Sequence, residues 1–298
     1  MTQVSEVDVL IVGGGPAGLT AALYLGRALK SVAVVDRGNP RHAVSEGVHN
    51  FVTRDGMAPD ALRATAWEQM QPYQRVARRN VGVARVQPIE DSWLATLDSG
   101  EQLSSRAVLL ATGVIDEHPD IAGYNERWGH SIHHCPYCHG WEMRERPLGV
   151  LASGETAGHM ASLLRGWSED VVLFTNGEPL DPQADVRLRQ LGIPTFHSPI
   201  VRLEGDGGEL DRVVLEGGEA IERRGLFVAP RQRQVSLIET IGLELDDNGY
   251  VVTDPFGETS RPGIWAAGDL TSRYQQVVEA AAQGARAAVM INASLTVA

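Results

Sequence analysis

The stretch "VDVLIVGGGPAGLTAALYLGRALKSVAVVD", residues 7–36, decides the fold of this chain. A short run rich in β-branched residues stops at three glycines, and a segment with the apolar spacing of a helix follows it. The next run, "SVAVVD", is typical of a second buried strand and ends in an acid. This order predicts a βαβ unit, and the right-handed crossover makes its two strands parallel.

The glycine turn of this stretch has the pattern of a dinucleotide-binding site. Gly13, Gly15 and Gly18 lie between the predicted strand and helix, and Asp36 ends the next strand, about 20 residues further on. Glycines permit a tight turn and a close approach of backbone N–H groups to a pyrophosphate, and the helix N-terminus adds partial positive charge. We expect Asp36 to accept hydrogen bonds from ribose hydroxyls. The pattern does not distinguish FAD from NAD.

A second unit of the same kind is predicted near residue 148. "LGVLAS" and "DVVLFT" are typical of buried strands, and "GETAGHMASLLRGW" between them has helical spacing. Earlier in the chain, residues 57–79 predict a helix that Pro72 ends or kinks, and a meander of short strands then leads to "ATG" at 111–113. Two βαβ units imply two nucleotide-type domains.

The composition argues against several classes of partner. With 298 residues the chain can form one large domain or two ordinary ones, and its net charge of −12 argues against a nucleic-acid surface. No run approaches the roughly 18 apolar residues that span a bilayer. Acidic residues precede the first apolar run and no cleavage-site pattern follows it, which argues against a signal peptide. We therefore expect no nucleic-acid partner, no membrane partner and a cytoplasmic location.

Both cysteines of the chain lie in "HSIHHCPYCHGWE", residues 130–142, among four histidines. Taken alone, this stretch is compatible with a zinc site, a structural staple or a redox centre. Cys135 and Cys138 are too close in sequence to link distant parts of the fold, which argues against a staple. A structural zinc site normally takes a second ligand pair from a distant segment. The remaining histidines show no such pair spacing: His42, His49, His118, His159 and His197. We therefore expect no metal site and favour a redox-active dithiol.

The motifs together resemble the low-molecular-weight thioredoxin reductases. The matching pieces are "GGGPAG", "ATG", the Cys-x-x-Cys-x-Gly, and "GIWAAGD" at 263–269 followed by "YQQVVEAAAQG". Their order and spacing cover nearly the whole chain. The resemblance implies FAD as cofactor, a homodimer, and an α/β fold of two Rossmann-like three-layer domains, the second inserted in the first. It implies an FAD-binding domain at residues 1–115 and 245–298, with residues 116–244 as the inserted domain that carries the cysteine pair.

The same resemblance implies which residues contact FAD. The implied contacts are Gly13, Gly15, Pro16, Ala17 and Gly18 in the turn, Asp36, Asn50, Ala111, Thr112 and Gly113 after the meander, and Gly268, Asp269, Gln276 and Val277 near the last helix.

The chain departs from this family where the family binds NADPH. At the equivalent turn it has "ASGETAG", so Ala152 replaces the first glycine and only Gly154 and Ala157 remain. The following strand ends in "LFTNGEP", which lacks the arginines that bind a 2′-phosphate. The inserted domain is therefore predicted to keep the fold and to have lost the ligand. Use of NADH, or arginines from elsewhere, are the alternatives.

The family also implies roles for the cysteine pair. In that comparison Cys138 would be the thiolate beside the flavin and Cys135 would exchange with the substrate through a mixed disulfide. His139 replaces the aspartate that acts as acid and base in thioredoxin reductases. An imidazole titrates near neutrality, so His139 is expected to take a proton from an incoming thiol and return it. His133, His134 and Trp141 would shape the entrance or simply pack.

The degenerate donor site suggests the direction of electron flow. Without NADPH, electrons would pass from a small-molecule or peptide dithiol through the pair and FAD to dioxygen, giving a disulfide and hydrogen peroxide. This resembles the FAD-dependent dithiol oxidases that form disulfides in natural products of the holomycin, gliotoxin and romidepsin type. The alternatives are a disulfide reductase that uses NADPH or ferredoxin as donor, and a flavin-binding redox sensor.

Overall fold

The computed structural model describes residues 4–297. The chain forms two compact units. Of the described residues, the first contains 4–43, Asn50–Ile115 and 232–297, and the second contains Val44–His49 and Asp116–Arg231. The second unit is therefore an insertion in the first.

Strands and helices alternate in the order that the sequence predicts. The strands of the described residues are β1 (Ser5–Val12), β2 (Val32–Val35), β3 (Val76–Arg79), β4 (Val83–Ile89), β5 (Ser92–Leu97), β6 (Gln102–Leu110), β7 (Ile115–Glu117), β8 (Ile132–His133), β9 (Leu148–Leu151), β10 (Val171–Phe174), β11 (Thr195–Phe196), β12 (Ile200–Glu204), β13 (Arg212–Leu215), β14 (Ala220–Glu222), β15 (Gly225–Val228), β16 (Arg231–Arg233) and β17 (Ile264–Ala266). The α-helices are α1 (Pro16–Arg27), α2 (Pro59–Met70), α3 (Pro136–His139), α4 (Gly154–Leu164), α5 (Pro182–Gln190), α6 (Ser236–Ile241) and α7 (Val277–Val297), with short 3₁₀ turns at Arg41–Val44 and Asp269–Thr271. Within residues 4–297, no helix is both long enough and apolar enough to cross a membrane.

The first unit is built on one large sheet. Its strands run in the order β3-β2-β1-β6-β5-β4, and β17 pairs with β6. The pairs among β3, β2, β1, β6 and β17 are parallel, whereas β4, β5 and β6 form an antiparallel meander. Helices α1 and α7 cover one face of the parallel strands, and α6 contributes to the core on the other face. Because both faces are covered, β1 is apolar at consecutive positions instead of alternating.

The second unit repeats this arrangement on a smaller scale. Its parallel sheet runs in the order β11-β10-β9-β15-β8. Helices α4 and α5 pack on one face, and the antiparallel sheet β12-β13-β14 packs on the other. The predicted α/β fold with two Rossmann-like units is confirmed.

The helix predicted over residues 57–79 is only partly correct. Helix α2 ends at Met70, and Val76–Arg79 form strand β3 instead. The backbone N–H of Val76 turns back to the carbonyl of Tyr73, and β3 then pairs in parallel with β2 along its whole length. Pro72 ends the helix as expected, but pairing with the edge of the sheet makes the next segment a strand.

The observed units also differ from the domain boundaries drawn from sequence. The chain returns to the first unit at Gln232 and not at residue 245. The cause is helix α6, whose residues Leu237, Ile238 and Ile241 are buried in the core of the first unit. The short segment Val44–His49 belongs to the second unit, and two of its side chains approach His139, which follows the cysteine pair, as described below.

Candidate active site

The two cysteines form a disulfide at the start of a one-turn helix in the second unit. Cys135 is the N-cap of α3, with Pro136 at the first helical position, where a proline has no N–H to lose. The backbone N–H of Cys138 donates a hydrogen bond to Sγ of Cys135 at 3.1 Å. An N–H directed at this sulfur stabilises negative charge on it after the disulfide opens.

The surroundings of the disulfide are partly open to solvent. Cys135 is 8% exposed and Cys138 is half-buried. Tyr137, between them, is 62% exposed and packs edge-on against the ring of Trp167, with a centroid distance of 5.6 Å. Trp141 is 65% exposed, and the guanidinium of Arg144 lies 4.0 Å from its ring centroid. Exposed aromatic side chains therefore flank the redox pair.

His139 directly follows the disulfide and contacts three side chains that shape its chemistry. Its Nε2 lies 3.0 Å from Oγ of Ser45. Its ring stacks on the ring of His133, with centroids 4.0 Å apart and an interplanar angle of 11°. The ring of His49 approaches edge-on with a centroid distance of 6.0 Å. Nδ1 of His139 is buried and has no hydrogen-bond partner among the described residues.

Burial changes the protonation expected for these histidines. Desolvation, with a smaller contribution from electrostatic repulsion by His49, lowers the pKa of His139 to about 4. Desolvation, and then repulsion from His139, lowers the pKa of His133 well below its ordinary value. The expectation that His139 titrates near neutrality is therefore wrong. Both imidazoles are neutral at pH 7, because a charge on either ring would be buried.

A carboxylate lies at the outer side of this cluster. Oε1 of Glu142 is 3.7 Å from Nε2 of His49, and its side chain is partly exposed. His133, by contrast, is only 4% exposed, and its Nε2 has no partner within residues 4–297. Negative charge is therefore available to His49 at the rim and not to the inner pair of rings. No group of three or more His, Cys, Asp and Glu side chains in the described part of the chain is arranged to hold a metal ion.

The glycine turn of the first unit has the shape that a dinucleotide requires. Gly13 has φ +110°, and a Cβ there would lie 2.1 Å from the carbonyl oxygen of Ala111. A Cβ on Gly268 would lie 3.2 Å from that of Ala17. The turn, the "ATG" segment and the "AGD" segment are therefore neighbours, as the sequence predicts. A Cβ on Gly15, by contrast, would meet nothing within 4 Å. Space is thus free at the N-terminus of α1, where a pyrophosphate would bind.

Asp36, the acid that follows β2, forms an ion pair with the buried Arg63. Nη2 of Arg63 donates a short hydrogen bond to Oδ2 of Asp36, and its Nε donates to the carbonyl of Gly14 at 3.3 Å. Oδ1 of Asp36 accepts no hydrogen bond from the described residues. Asp36 therefore has one oxygen available for a ribose hydroxyl, and Arg63 orients it.

Asp269 is also held by an arginine. Nη1 of Arg41 lies 3.4 Å from Oδ2 of Asp269 and donates to Oε1 of Gln275 at 2.7 Å. The adjacent His42 has a lowered pKa, mainly through desolvation and then through the charge of Arg63. Its Nε2 is buried without a partner in the described structure. These groups offer donors beside the predicted FAD contacts.

Two of the remaining predicted contacts line one cavity of the first unit. Pro16 and Val277 both line this cavity of about 280 Å³, together with Phe51, His42 and Arg63. Asn50 precedes Phe51 and has a left-handed backbone, φ +61°, with its N–H donating to Oδ1 of Asp55. Thr112 and Gly113 follow strand β6, and Gln276 precedes α7. The free space over Gly15, the open oxygen of Asp36 and the unpartnered Nε2 of His42 fit a bound dinucleotide such as FAD.

At the corresponding turn of the second unit, another segment of the chain accepts a hydrogen bond from the helix N-terminus. The N–H of Gly154 donates to the carbonyl of Pro179 at 3.2 Å, and Gly154 forms an isolated bridge with Leu180. Oδ1 of Asn176 accepts the N–H of Ile200 at 2.7 Å, and Thr175 is buried. A helix N-terminus that already donates to a carbonyl is less able to bind a phosphate.

Several residues of these sites are not apparent from sequence. Arg41, Arg63, Ser45, His49 and Glu142 lie outside the glycine and cysteine motifs. The segment "RGNPRHAVSEGVHN" after β2 holds three of them, and its cluster of charged and polar residues beside a predicted binding strand is the one available signal. At the sites, Arg63 pairs with Asp36, 27 residues away, and Arg41 pairs with Gln275, 234 residues away, so a local spacing rule does not identify these contacts.

Comparison with known families places these features in context. The family described as pyridine nucleotide-disulphide oxidoreductase matches residues 7–284. The thioredoxin reductase tcpT of Claviceps purpurea is 35% identical over 99% of this chain and 96% of its own length. The thioredoxin reductase sirT of Leptosphaeria maculans is 34% identical over 97% of this chain and 94% of its own length.

Solved structures show the same fold at similar identity. The crystal structure of HlmI has a TM-score of 0.93 and 38% identity, over 99% of this chain and 94% of that protein. An oxidoreductase from Agrobacterium tumefaciens has a TM-score of 0.90 and 36% identity, over 98% of this chain and 99% of that protein. The fold and the redox chemistry of the site are therefore those of a known enzyme class.

Proposed function

Since the chain belongs to the pyridine nucleotide-disulphide oxidoreductase family and is a thioredoxin reductase-like flavoprotein with FAD as its cofactor, we propose that it is a dithiol oxidase. It forms a disulfide in a small-molecule or peptide dithiol. Dioxygen is the final electron acceptor and hydrogen peroxide is the second product. Cys135, Cys138 and His139 carry the reaction.

The main support for this direction of electron flow is the turn of the second unit, where a backbone N–H already donates to a carbonyl of the chain itself. A nicotinamide donor needs free N–H groups at that turn and a cation for a 2′-phosphate. The N–H of Gly154 instead donates to Pro179, and the positions after β10 hold Thr175, Asn176 and Gly177. An enzyme that keeps its redox pair and FAD without this donor can receive its electrons from a dithiol, and this supports the proposed direction.

The proposed reaction begins with proton transfer from the substrate. One thiol gives its proton to the neutral imidazole of His139, and the resulting thiolate attacks Sγ of Cys135. The bond between Cys135 and Cys138 breaks, a mixed disulfide forms between substrate and Cys135, and Cys138 leaves as a thiolate. The low pKa of His139 keeps its lone pair free for this proton at pH 7. It also makes the imidazole a weak base, since the optimal pKa of a general base lies near the operating pH.

The second thiol completes the product. Its proton passes to solvent, and its thiolate attacks the substrate sulfur of the mixed disulfide. The substrate disulfide is released, and Cys135 leaves as a thiolate that takes the proton from His139. The N–H of Cys138, 3.1 Å from Sγ of Cys135, stabilises this leaving group. Two electrons have then moved from the substrate to the cysteine pair. The chemistry that FAD supplies when bound is transfer of these two electrons to dioxygen, with recovery of the disulfide.

A disulfide reductase is the second candidate, and the names of the relatives favour it. Both tcpT and sirT are called thioredoxin reductases. In that case the same exchange steps would run in reverse, with NADPH or ferredoxin as the electron donor. The exposed aromatic side chains at the disulfide would then face a disulfide substrate.

One pair of measurements separates the two candidates. The FAD-loaded protein is mixed with NADPH without oxygen, and separately with dithiothreitol in air. We expect no flavin bleaching by NADPH, and hydrogen peroxide production that needs the dithiol and both cysteines. Bleaching by NADPH at a rate that supports turnover would overturn the oxidase proposal.

We also propose a homodimer, which the resemblance implies, and a cytoplasmic location. Light scattering of the FAD-loaded protein at micromolar concentration measures the first, and cell fractionation measures the second. A monomeric mass, or recovery outside the cytoplasmic fraction, would contradict them.

A further inference from the structure

A hydroxyl group lies between His139 and the backbone on a segment that the sequence motifs do not include. Oγ of Ser45 is 3.0 Å from Nε2 of His139 and donates to the carbonyl oxygen of Gly47 at 2.9 Å. All three residues belong to the second unit. Ser45 is therefore the hydrogen-bond partner of Nε2 of His139.

The single proton of this hydroxyl determines where the imidazole proton can be. If Ser45 donates to Gly47, its oxygen can only accept from His139, so Nε2 carries the proton and two hydrogen bonds form. If Ser45 instead donated to Nε2, the bond to Gly47 would be lost. The proton on Nδ1 would then be a buried donor, and Nδ1 has no partner among the described residues. The first arrangement satisfies more groups and avoids a buried unpaired donor.

We propose that Ser45 is a positioning residue that holds His139 in the Nε2–H tautomer and so leaves Nδ1 as the one ring nitrogen with a lone pair that a proton can join. This inference rests on the proposed dithiol oxidation and names the base within it. Ser45 itself contacts neither substrate nor sulfur in the proposed step. It acts by keeping the lone pair on one defined nitrogen.

The other groups around His139 leave this assignment intact. His133 stacks face to face on the ring, with centroids 4.0 Å apart, so its nitrogens are not directed along the ring plane where hydrogen bonds form. His49 approaches edge-on at 6.0 Å between centroids, beyond hydrogen-bond contact between rings in general. Glu142 approaches His49, at 3.7 Å from its Nε2. Ser45 is therefore the described side chain that hydrogen-bonds to the His139 ring.

The proton balance of the exchange step follows from this tautomer. The substrate S–H bond breaks, its proton forms a new N–H bond at Nδ1, and the imidazole becomes a cation that keeps its Nε2–H bond to Ser45. When Cys135 leaves as a thiolate, the proton passes from Nδ1 to that sulfur. The neutral Nε2–H tautomer is restored, and no proton needs to cross the ring.

Nitrogen NMR of the FAD-loaded, oxidised protein tests the inference. Protein labelled with ¹⁵N in histidine is measured at pH 7, and the signals of His139 are identified by their loss in His139→Asn. We expect the wild type to show Nε2 protonated and Nδ1 unprotonated. Ser45→Ala should lose this preference and oxidise the dithiol about three- to tenfold more slowly, the effect of one hydrogen bond. Ser45→Thr keeps the hydroxyl and should restore both.

Ser162→Ala is the matched control. Ser162 also donates its hydroxyl proton to a backbone carbonyl, that of Gly158, within helix α4. Its loss should change neither the His139 signals nor the rate. If Ser45→Ala does not retain FAD, the wild-type tautomer and Ser45→Thr still decide the question.

The outcomes separate this inference from the proposed function. A wild type with the proton on Nδ1, or a Ser45→Ala variant with unchanged tautomer and rate, would overturn the role of Ser45 even if the protein oxidises dithiols. A wild type that shows the Ser45-dependent tautomer but makes no peroxide from a dithiol would overturn the proposed function and leave the positioning role in place.

Discussion

The two units contain the same strand–turn–helix, and their turns differ in the polar groups around them. A side chain on Gly15 or on Gly154 would meet no atom within 4 Å, but in the first unit Asp36 follows the next strand and is oriented by Arg63. In the second unit the N–H of Gly154 donates to the carbonyl of Pro179. Both sheets and their helices are nevertheless intact, because packing needs apolar contacts and ligand binding needs free polar groups. The same fold can therefore form whether or not its turn leaves polar groups free.

The comparison suggests that the second unit contributes through its disulfide and not through its nucleotide turn. Replacing either cysteine should therefore have the largest effect. Cys135→Ser and Cys138→Ser should each reduce dithiol-dependent peroxide to background, because no disulfide remains to accept electrons. FAD should stay bound, as seen in the visible flavin spectrum.

The two cysteine variants also separate the roles of the sulfurs. Treated with a linear disulfide such as cystine, Cys138→Ser should accumulate a mixed disulfide on Cys135 with release of one thiol, because no second cysteine resolves it, and intact-mass spectrometry detects this adduct. A mixed disulfide on Cys138 in the Cys135→Ser variant, and none on Cys135, would reverse the assignment.

His139→Asn should have the next largest effect. Loss of a general base typically lowers a rate by about 10²- to 10⁴-fold, and stopped-flow reduction of the protein disulfide by a dithiol measures it. Asparagine is close in size, so FAD content and fold should be unchanged. A rate within twofold of the wild type would contradict the base role of His139.

The buried histidines should also make the second unit sensitive to acid. The pKa of His139 is about 4 in the folded protein, against about 6.5 for an unperturbed imidazole. Between these values the unfolded chain binds a proton that the folded chain does not. The free energy of unfolding should therefore fall as pH falls from about 6.5 to 4, by up to about 3 kcal/mol from this one group. The buried His133 should act in the same direction.

Urea unfolding at several pH values measures this loss of stability. His139→Asn should flatten the decline between pH 6.5 and 4. His159, which is exposed on helix α4, supplies the control His159→Asn, whose profile should match the wild type. An unchanged slope in His139→Asn would mean that His139 is not held neutral by burial.

The smallest effects should come from matched glycine substitutions in the two turns. In Gly13→Ala the new Cβ would lie 2.1 Å from the carbonyl of Ala111, at φ +110°. We expect a loss of about 1–3 kcal/mol in stability and loss of FAD. In Gly154→Ala the Cβ would meet nothing within 4 Å, at φ +58°. Only left-handed strain of about 1–2 kcal/mol applies there, and FAD should be retained. Thermal unfolding and flavin content compare the two, and equal FAD loss in both would remove the contrast between the turns.

Sequence patterns predicted much of the fold because both βαβ units are local. Apolar periodicity and glycine position identified β1, α1 and β2, and again β9, α4 and β10. The prediction over residues 57–79 was wrong where β3 comes after Pro72, because pairing with β2 supplies the hydrogen bonds that the local pattern does not show. The boundary at residue 245 differs from the unit that contacts define, because α6 is buried in a core whose other members lie far away in sequence.

The candidate site divides in the same way. The sequence by itself determined the cysteine pair, its following histidine and the glycine turn, because each depends on residues only a few positions apart. Only the tertiary structure decided that Ser45 meets Nε2 of His139, that Arg63 holds Asp36 and that Pro179 closes the second turn. It also decided that the pKa of His139 is low. Burial and hydrogen-bond pairing depend on the three-dimensional surroundings of a group, and residue type and spacing alone do not specify them.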